Sequence, residues 1–264
     1  MLEYKKSQLE GEIEQVKPSE ESPQQPERKL TPDKLREKLC DPNFLPTHKQ
    51  ITKAFTNLEQ WVEFCFDEEK PVFEFFNEEY LNAFADYFVG KIQEYGANEE
   101  RPLVILEIGA GNGRLSYFLQ QKLEERAPGQ TEVIATDSGE WTLKSDFPIE
   151  QLKHDEAIEK HSPDIVVFSW MPYQEDSSED IRKFDSVQEY ILIGETDGGC
   201  CGNEWETWGW SFYDDEEDGE KVPPYEADGF KREDLDDLSD LQICRTDYHG
   251  RYHHSKTVSF KRKK

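Results

Sequence analysis

The chain has no long hydrophobic run, no leader pattern and no paired cysteine motif. None of its apolar runs approaches the about 18 residues of a membrane-spanning helix, and its first fifteen residues, MLEYKKSQLEGEIEQ, are polar throughout. Its five cysteines are an odd number without a CxxC pair, which favours reduced thiols. These absences disfavour membrane insertion, secretion and a disulfide framework, and they predict a cytoplasmic protein. The basic end Lys261-Arg262-Lys263-Lys264 leaves a nuclear location open.

Positive charge is also scarce. The 264 residues contain 31 Lys and Arg against 58 Asp and Glu, a net charge of −27. Much of the excess lies in Asp214–Glu220 and Glu233–Asp240, which we predict to be solvated loops. Such a field repels phosphate backbones, so nucleic acid is disfavoured as a substrate, and a small molecule or a protein fits better. No metal site is predicted, because no cysteine or acidic residue has metal-ligand spacing to His249, His253 and His254.

The most informative segment is Leu103–Gly113, LVILEIGAGNG. Its apolar run predicts a buried parallel strand, and Gly109, Gly111 and Gly113 predict a tight turn that leads into a helix. Bare backbone at alternate positions allows positive φ and the close approach of a ligand, while Glu107 can meet a positive charge or a hydroxyl. The pattern is typical of a turn that lies against a nucleoside.

Two competing glycine motifs do not fit. A dinucleotide-binding fingerprint needs its third glycine where this chain has Arg114, and a phosphate-binding P-loop needs a Gly-Lys-Ser/Thr ending. A nicotinamide-dependent oxidoreductase is therefore disfavoured. After the turn, RLSYFLQQKLEER has helical spacing, and Glu132–Ala135 predicts a second strand that leads to Asp137. An acidic residue at that point can accept hydrogen bonds from a ribose diol.

This half of the chain resembles class I S-adenosylmethionine-dependent methyltransferases, whose acidic-x-Gly-x-Gly-x-Gly motif is complete here. The resemblance implies an α/β fold with a Rossmann-like, doubly wound, mostly parallel sheet that ends in an antiparallel hairpin. It also implies S-adenosyl-L-methionine as cofactor. Glu107 and the turn, including Ala110 and Asn112, would lie along the methionine and ribose, and Asp137 would hold the ribose hydroxyls.

The resemblance extends to the next two strands. Ile149–Lys153 reads as the third strand, and His154 to Ala157 follow where the family often contacts adenine, with Asp155 as the predicted contact. Asp164–Phe168 reads as the fourth strand, and Ser169 at its end is a further predicted cofactor contact. At the C-terminal end, strand-like Leu241–Tyr248 and the run SKTVSF, on either side of His249-Gly250, predict the closing hairpin.

The residues after the fourth strand depart from the family in one respect. Many amino-group methyltransferases have Asn or Asp before Pro-Pro-Tyr, whereas this chain has Trp170-Met171-Pro172-Tyr173. Trp170, Pro172 and Tyr173 are predicted substrate contacts, since an indole ring can stack on a flat or cationic acceptor. The alternative is that Trp170 and Met171 only close the top of the core. Tyr173 and His154 are candidate proton acceptors.

The chain divides into three predicted parts. Residues 1–30 are a polar tail, residues 31–98 form a helical extension that packs on the catalytic domain, and residues 99–264 form the S-adenosylmethionine-binding domain. Within the extension, helices are expected to begin at Thr31-Pro32, to cover His48–Phe64 and to be capped by Asn77.

Two functions follow from the sequence. The first is a methyltransferase that acts on a protein side chain or a small molecule, and the alternative is a catalytically inactive, methyltransferase-like binding module. The glycine- and tryptophan-rich segment after the fifth strand, which contains Cys200-Cys201, is either a wall of the acceptor site or ordinary helix packing.

Overall fold

A computed structural model describes residues 30–141, 145–211, 221–248 and 254–264. Within these ranges seven strands form one sheet, in the order β3-β2-β1-β4-β5-β7-β6. The strands are β1 (Leu103–Ile108), β2 (Thr131–Asp137), β3 (Glu150–Gln151), β4 (Ile165–Ser169), β5 (Glu189–Glu195), β6 (Phe230–Asp234) and β7 (Ser255–Arg262). β1 to β5 are parallel, and β7 runs antiparallel to both β5 and β6. The predicted mostly parallel sheet with an antiparallel end is confirmed.

Nine helices accompany the sheet in the same part of the chain. They are α1 (Pro32–Leu39), α2 (His48–Ala54), α3 (Leu58–Cys65), α4 (Glu78–Glu94), α5 (Arg114–Arg126), α6 (His154–His161), α7 (Ser178–Arg182), α8 (Pro224–Ala227) and α9 (Asp236–Ser239). Of these described helices, none combines the length and the apolar character that crossing a membrane requires.

β1 is the centre of the core. It pairs with β2 on one side and β4 on the other, and its side chains alternate between the two faces of the sheet. Leu103 and Ile105 pack in the same buried cluster as α4 and α5, while Leu106 and Ile108 pack in the cluster of α6 and α7. Because both faces are covered, the strand is apolar along almost its whole length, which is why the sequence identifies it.

The helix starts that the sequence predicts are present. Thr31 caps α1, with Pro32 as its first residue, and Asn77 Oδ1 accepts a hydrogen bond from the Tyr80 backbone N–H at 2.8 Å to cap α4. The side-chain amide of Asn77 also donates to the Leu241 carbonyl at 2.8 Å. The cap therefore ties the start of α4 to the C-terminal part of the chain.

One continuous helix over His48–Phe64 is wrong. The chain leaves the helical conformation at Phe55, whose ring lies in the core against Trp61 and Phe64. Asn57 then caps α3, accepting from the Gln60 backbone N–H at 2.9 Å. Burial of the Phe55 ring and a new cap outweigh the helical spacing that the sequence displays.

The predicted partner of the last strand is also wrong. Leu241–Tyr248 forms a single bridge, between Cys244 and Glu74, and the strand that pairs with β7 is β6. The last two residues of β6 begin the run Glu233–Asp240, which was predicted to be a solvated loop. Ile243 instead packs in the aromatic cluster of the N-terminal helices, and its carbonyl accepts from Phe75 N–H at 2.8 Å. This segment is therefore apolar because it is buried under the N-terminal helices, and it does not form a strand of the sheet.

Several sequence predictions fall on residues outside the described ranges. They are the tail up to residue 29, the acidic run Asp214–Glu220, the turn His249-Gly250 and His253. In the described part of the chain, no three His, Cys, Asp or Glu side chains are grouped as metal ligands.

Candidate functional site

A cavity of about 760 Å³ lies at the carboxyl ends of β1, β2 and β4. This is the edge at which open α/β sheets bind their ligands. Most of the predicted site residues line it: Glu107, Gly109, Ala110, Gly111, Asn112, Asp137, His154, Ser169, Trp170, Pro172 and Tyr173. The cavity therefore gathers, from four separate segments, residues that the sequence could only assign one by one.

The glycine turn has the backbone that its sequence implies. Gly109, Gly111 and Gly113 have φ values of +60°, +57° and +77°. A Cβ on Gly109 would lie 2.5 Å from Cε2 of Phe168, and one on Gly113 would lie 2.6 Å from Cγ2 of Ile149. Gly113 caps α5 and is not among the residues that line the cavity, so its role is to place the helix. Side chains at these positions would meet both a strained backbone and occupied space.

Glu107 is buried at the end of β1. One oxygen of its carboxylate accepts from the backbone N–H of Ser116 at 3.1 Å and from the Ser116 hydroxyl at 2.5 Å. Burial raises the pKa of Glu107 from 4.5 to about 7, and the nearby Asp137 adds to the rise. The carboxylate joins β1 to the first turn of α5, and its edge on the cavity can still accept a hydrogen bond.

Asp137, at the end of β2, supports the same turn. Its Oδ2 accepts from the Gly111 backbone N–H at 2.9 Å, and its Oδ1 accepts from Gly139 N–H at 2.8 Å. A carboxylate oxygen has more than one acceptor site, so both oxygens keep capacity for a ligand hydroxyl. The acid thus shapes the glycine turn and presents free lone pairs to the cavity.

Arg114, the residue that rules out a dinucleotide fingerprint, has a structural role. Its guanidinium is buried behind the glycine turn and donates to the carbonyls of Leu39 at 2.6 Å and Phe44 at 2.8 Å. Burial lowers the pKa of Arg114 to about 10. Through these bonds the loop after α1 is held against the start of α5.

Asp155, the predicted adenine contact, lies outside the cavity lining. Asp155 is exposed in the first turn of α6 and is not among the described residues that line the cavity, which at this point are Leu152, Lys153 and His154. Asp155 has this position because β3 ends at Gln151 and the helix begins three residues later. His154 itself is half-buried and pairs through Nε2 with Asp180 Oδ2 at 2.9 Å.

Trp170 stands at the end of β4 in a strained conformation. Its φ is +60°, rare for a bulky side chain, and its backbone N–H donates to the Ile193 carbonyl at 2.7 Å. Holding such a residue there costs about 1–3 kcal/mol, and strain of this kind collects at functional sites. The indole Nε1 donates to Glu74 Oε2 at 3.0 Å, and the ring lies 5.5 Å from that of Phe73. The indole is therefore fixed as part of the cavity wall.

The neighbours of Trp170 divide between core and surface. Met171 is buried, as the core-closing alternative expects, whereas Tyr173 is 57% exposed at the rim of the cavity. Within the described part of the segment around Cys200-Cys201, Cys200 faces the cavity, whereas Trp208 packs in the core.

Glu74 and Arg245 are among the cavity residues that the sequence analysis did not assign. Glu74 is a carboxylate inside the apolar run VFEFF, and it is buried between Trp170 and Ser255, whose hydroxyl lies 3.3 Å from Oε1. Burial raises the pKa of Glu74 from 4.5 to about 7, and Asp247 contributes to the rise. A charged residue in the middle of an aromatic run was the available signal, since such a residue is seldom buried without a reason.

The paired cysteines differ in their protonation. Both are free thiols; Cys201 is buried, and Cys200 is half-buried on the cavity. A hydrogen bond from Cys201 lowers the pKa of Cys200, while that interaction together with burial raises the pKa of Cys201. Of the two, Cys200 is the more acidic and the more accessible thiol.

Comparison with known proteins gives structural matches alone, because no family model and no curated protein matches the sequence. The CMeT domain of the citrinin polyketide synthase matches over 69% of this chain and 52% of its own length, with 15% identity and a TM-score of 0.39. The DszA carbon methyltransferase matches over 81% of this chain and 62% of its own length, with 12% identity and a TM-score of 0.42. A magnesium protoporphyrin IX methyltransferase from Synechocystis PCC 6803, solved with bound SAH, matches over 69% of this chain and 82% of its own, with 13% identity and a TM-score of 0.35.

The chain thus spans between half and two thirds of the length of the first two of these proteins. The fold rests on the molecule's own topology: five parallel strands, a glycine turn after β1, an acid after β2 and an antiparallel β7 inserted between β5 and β6. On these features the chain has a Rossmann-like, doubly wound α/β fold with an antiparallel end.

Proposed function

We propose that this chain is an S-adenosylmethionine-dependent methyltransferase that acts on a small molecule or a protein side chain. The observation that carries the proposal is the convergence of the glycine turn, Asp137 and the strained Trp170 on one cavity at the carboxyl edge of the sheet. Free thiols at all five cysteines support the cytoplasm as the compartment, with the nucleus as the alternative.

The residues present fit the cofactor. The left-handed glycine turn presents backbone without side chains, Asp137 has acceptor capacity beyond its two backbone bonds, and Leu152 and His154 line the adjoining part of the cavity. The turn would hold the methionine and ribose portion, Asp137 the ribose hydroxyls, and the loop after β3 the base. When bound, S-adenosylmethionine supplies a methyl group on a sulfonium whose leaving group is already activated.

Because the leaving group is activated, the protein has to orient the acceptor, exclude water and accept a proton. Trp170 and Pro172 would position the acceptor at the end of β4. Glu74 is better placed to accept the proton than the sequence candidates, since Tyr173 lies exposed at the rim and His154 is paired with Asp180. A carboxylate whose pKa is raised to about 7 by burial is matched to proton transfer near neutral pH.

Calorimetry with S-adenosylmethionine and its demethylated product tests the cofactor site. We expect Gly111→Arg and Asp137→Ala to abolish the binding heat. The arginine side chain would fill the space beside the glycine turn, and the alanine removes both the acceptor for the ribose hydroxyls and a hydrogen bond that supports the turn. Gly90→Ala is the matched control, since Gly90 lies in α4 with nothing within 4 Å of an added Cβ. Unchanged heat in both site variants would remove the basis of the proposal.

Methyl transfer itself is tested with radiolabelled cofactor and cell lysate, with macromolecular and small products separated. Label in either fraction that depends on the wild-type protein supports an enzyme and identifies the class of acceptor. Cofactor binding without label in either fraction would favour the inactive binding module instead.

A further inference from the structure

Arg245 occupies a fixed position on the acceptor side of the cavity. Its backbone N–H donates to the Phe73 carbonyl at 3.0 Å, and its own carbonyl accepts from Trp61 Nε1 at 2.6 Å. The neighbouring residue Cys244 bridges to Glu74, so the backbone that carries Arg245 runs alongside the segment that contains Glu74. The side chain is therefore presented to the cavity by rigid backbone.

The guanidinium lies among aromatic rings without an ionic partner. Its carbon is 4.5 Å from the ring centroid of Phe73, 4.6 Å from that of Phe66 and 5.3 Å from that of Trp170. Its Nε is buried and has no hydrogen-bond partner among the described residues. Aromatic rings attract a guanidinium through their faces, but they do not accept hydrogen bonds from the N–H groups that lie in the guanidinium plane. The N–H groups of Arg245 are therefore available to a ligand.

Three of the other cations around the cavity are bound to carbonyl or carboxylate oxygens. Arg36 donates to the Lys70 carbonyl at 2.8 Å, Arg114 donates to two backbone carbonyls, and Lys153 pairs with Glu140 at 3.5 Å. Lys70 is exposed, and its Nζ lies 4.0 Å from Cys40 Sγ. In the described lining, Arg245 thus differs as a partly desolvated guanidinium with no carboxylate or carbonyl bound to it. A desolvated charge without a partner is costly, and a bound anion would recover that cost.

Resting on the proposed function, we propose that Arg245 binds a carboxylate of the methyl acceptor, which is accordingly a small organic acid. The planar guanidinium fork matches a carboxylate bidentately, and the rest of the acceptor would lie against the Trp170 ring. A dianion such as a phosphate is disfavoured, because Glu69, Glu74 and Glu175 line the same cavity. A single cavity that also takes a nucleoside leaves room for a small acceptor.

The test measures binding of matched acids and amides to protein saturated with S-adenosylhomocysteine. The panel consists of acetate, benzoate, 4-hydroxybenzoate, phenylacetate and cinnamate, each against its primary amide, by calorimetry. We expect at least one acid to bind about 10- to 100-fold more tightly than its amide, the range for a charge-assisted pair. If no acid binds more tightly than its amide, the proposal is overturned.

Arg245→Met keeps the aliphatic contact with the rings and removes the charge, so the preference for the acid should disappear while S-adenosylhomocysteine affinity stays unchanged. Lys70→Met is the matched control: it removes one positive charge from the edge of the same cavity and should retain the preference. Equal loss in both variants would mean a general field effect and would overturn the proposal.

Should Arg245→Met fail to fold, Arg245→Lys serves, because an ammonium keeps the charge but lacks the fork. It should weaken acid binding, and undiminished binding would contradict the assignment. The same experiment distinguishes a failure of the proposed methyltransferase function from a failure of the proposed role of Arg245. Absence of S-adenosylhomocysteine binding to wild type counts against the methyltransferase, whereas cofactor binding without acid discrimination counts against Arg245 alone.

Discussion

Replacement of Glu74 by glutamine tests whether this carboxyl is buried as the structure has it. Burial raises its pKa from 4.5 to about 7 in the folded chain. Between these two values the unfolded chain loses the proton while the folded chain keeps it. The contribution of Glu74 to the stability of the wild type is therefore undiminished below pH 4.5, falls as the pH rises, and levels off above pH 7. This rise in the pKa of Glu74 corresponds to about 3 kcal/mol of unfolding free energy.

Glutamine is neutral at every pH, so Glu74→Gln removes this dependence. It also loses one of the acceptor oxygens that Trp170 and Ser255 use, a constant cost of about 1 kcal/mol. We expect the free energy of unfolding of the variant, relative to wild type, to increase by about 2–3 kcal/mol between pH 5 and pH 8. Urea unfolding at intervals across that range measures it.

Glu69→Gln is the control, because Glu69 is an exposed carboxylate at the edge of the same cavity. Its difference from wild type should show no comparable slope. If the Glu74→Gln difference is the same at pH 5 and pH 8, the carboxyl is solvated, and the proton-accepting role argued for it fails with the burial.

Gly109→Ala should destabilise the protein by about 2–4 kcal/mol, the sum of a left-handed alanine and a methyl group forced against a phenylalanine ring 2.5 Å away. Gly90→Ala should instead be neutral or stabilising by up to about 1 kcal/mol, and similar unfolding midpoints for the two variants would refute the stated need for glycine in the turn. Arg114→Met should speed amide hydrogen exchange in α1, because the loop that follows it loses both of its bonds to this guanidinium; an unchanged exchange pattern would mean that the bonds hold nothing in place. Iodoacetamide at neutral pH should label Cys200 well before Cys65, since the pKa of Cys200 is lowered and burial raises that of Cys65 to about 12; peptide mass spectrometry reporting the reverse order would contradict these environments.

The sequence predicted best where a local pattern has a single structural explanation. The run before Gly109 can be satisfied by a buried strand, and the alternate glycines by a left-handed turn, so β1, the turn and α5 are all found within a residue or two of their true bounds. Asn77 is similar, because a cap needs only the residues beside it. The part of the cavity that the glycine turn lines could therefore be predicted from local sequence alone.

Prediction failed where distant segments decide the outcome. Glu74 and Arg245 belong to one wall because Cys244 bridges to Glu74, a pairing that leaves no periodic trace in either segment. Leu241–Tyr248 was mistaken for a strand of the sheet because its apolar residue Ile243 is buried under the N-terminal helices. Asp155 lies outside the cavity lining because α6 begins at His154 and leaves the Asp155 side chain exposed to solvent.

The hydrogen bonds from Arg114 to the carbonyls of Leu39 and Phe44 limit the routes by which a ligand can reach the cavity. Moving the N-terminal segment away would remove both hydrogen-bond acceptors of the Arg114 guanidinium, so we expect that segment to stay in place when a ligand binds. Ligands would then enter and leave past Trp141 and Tyr173, whose exposed rings line the cavity. We therefore expect access to the cavity to depend on these two surface side chains and not on movement of the N-terminal segment.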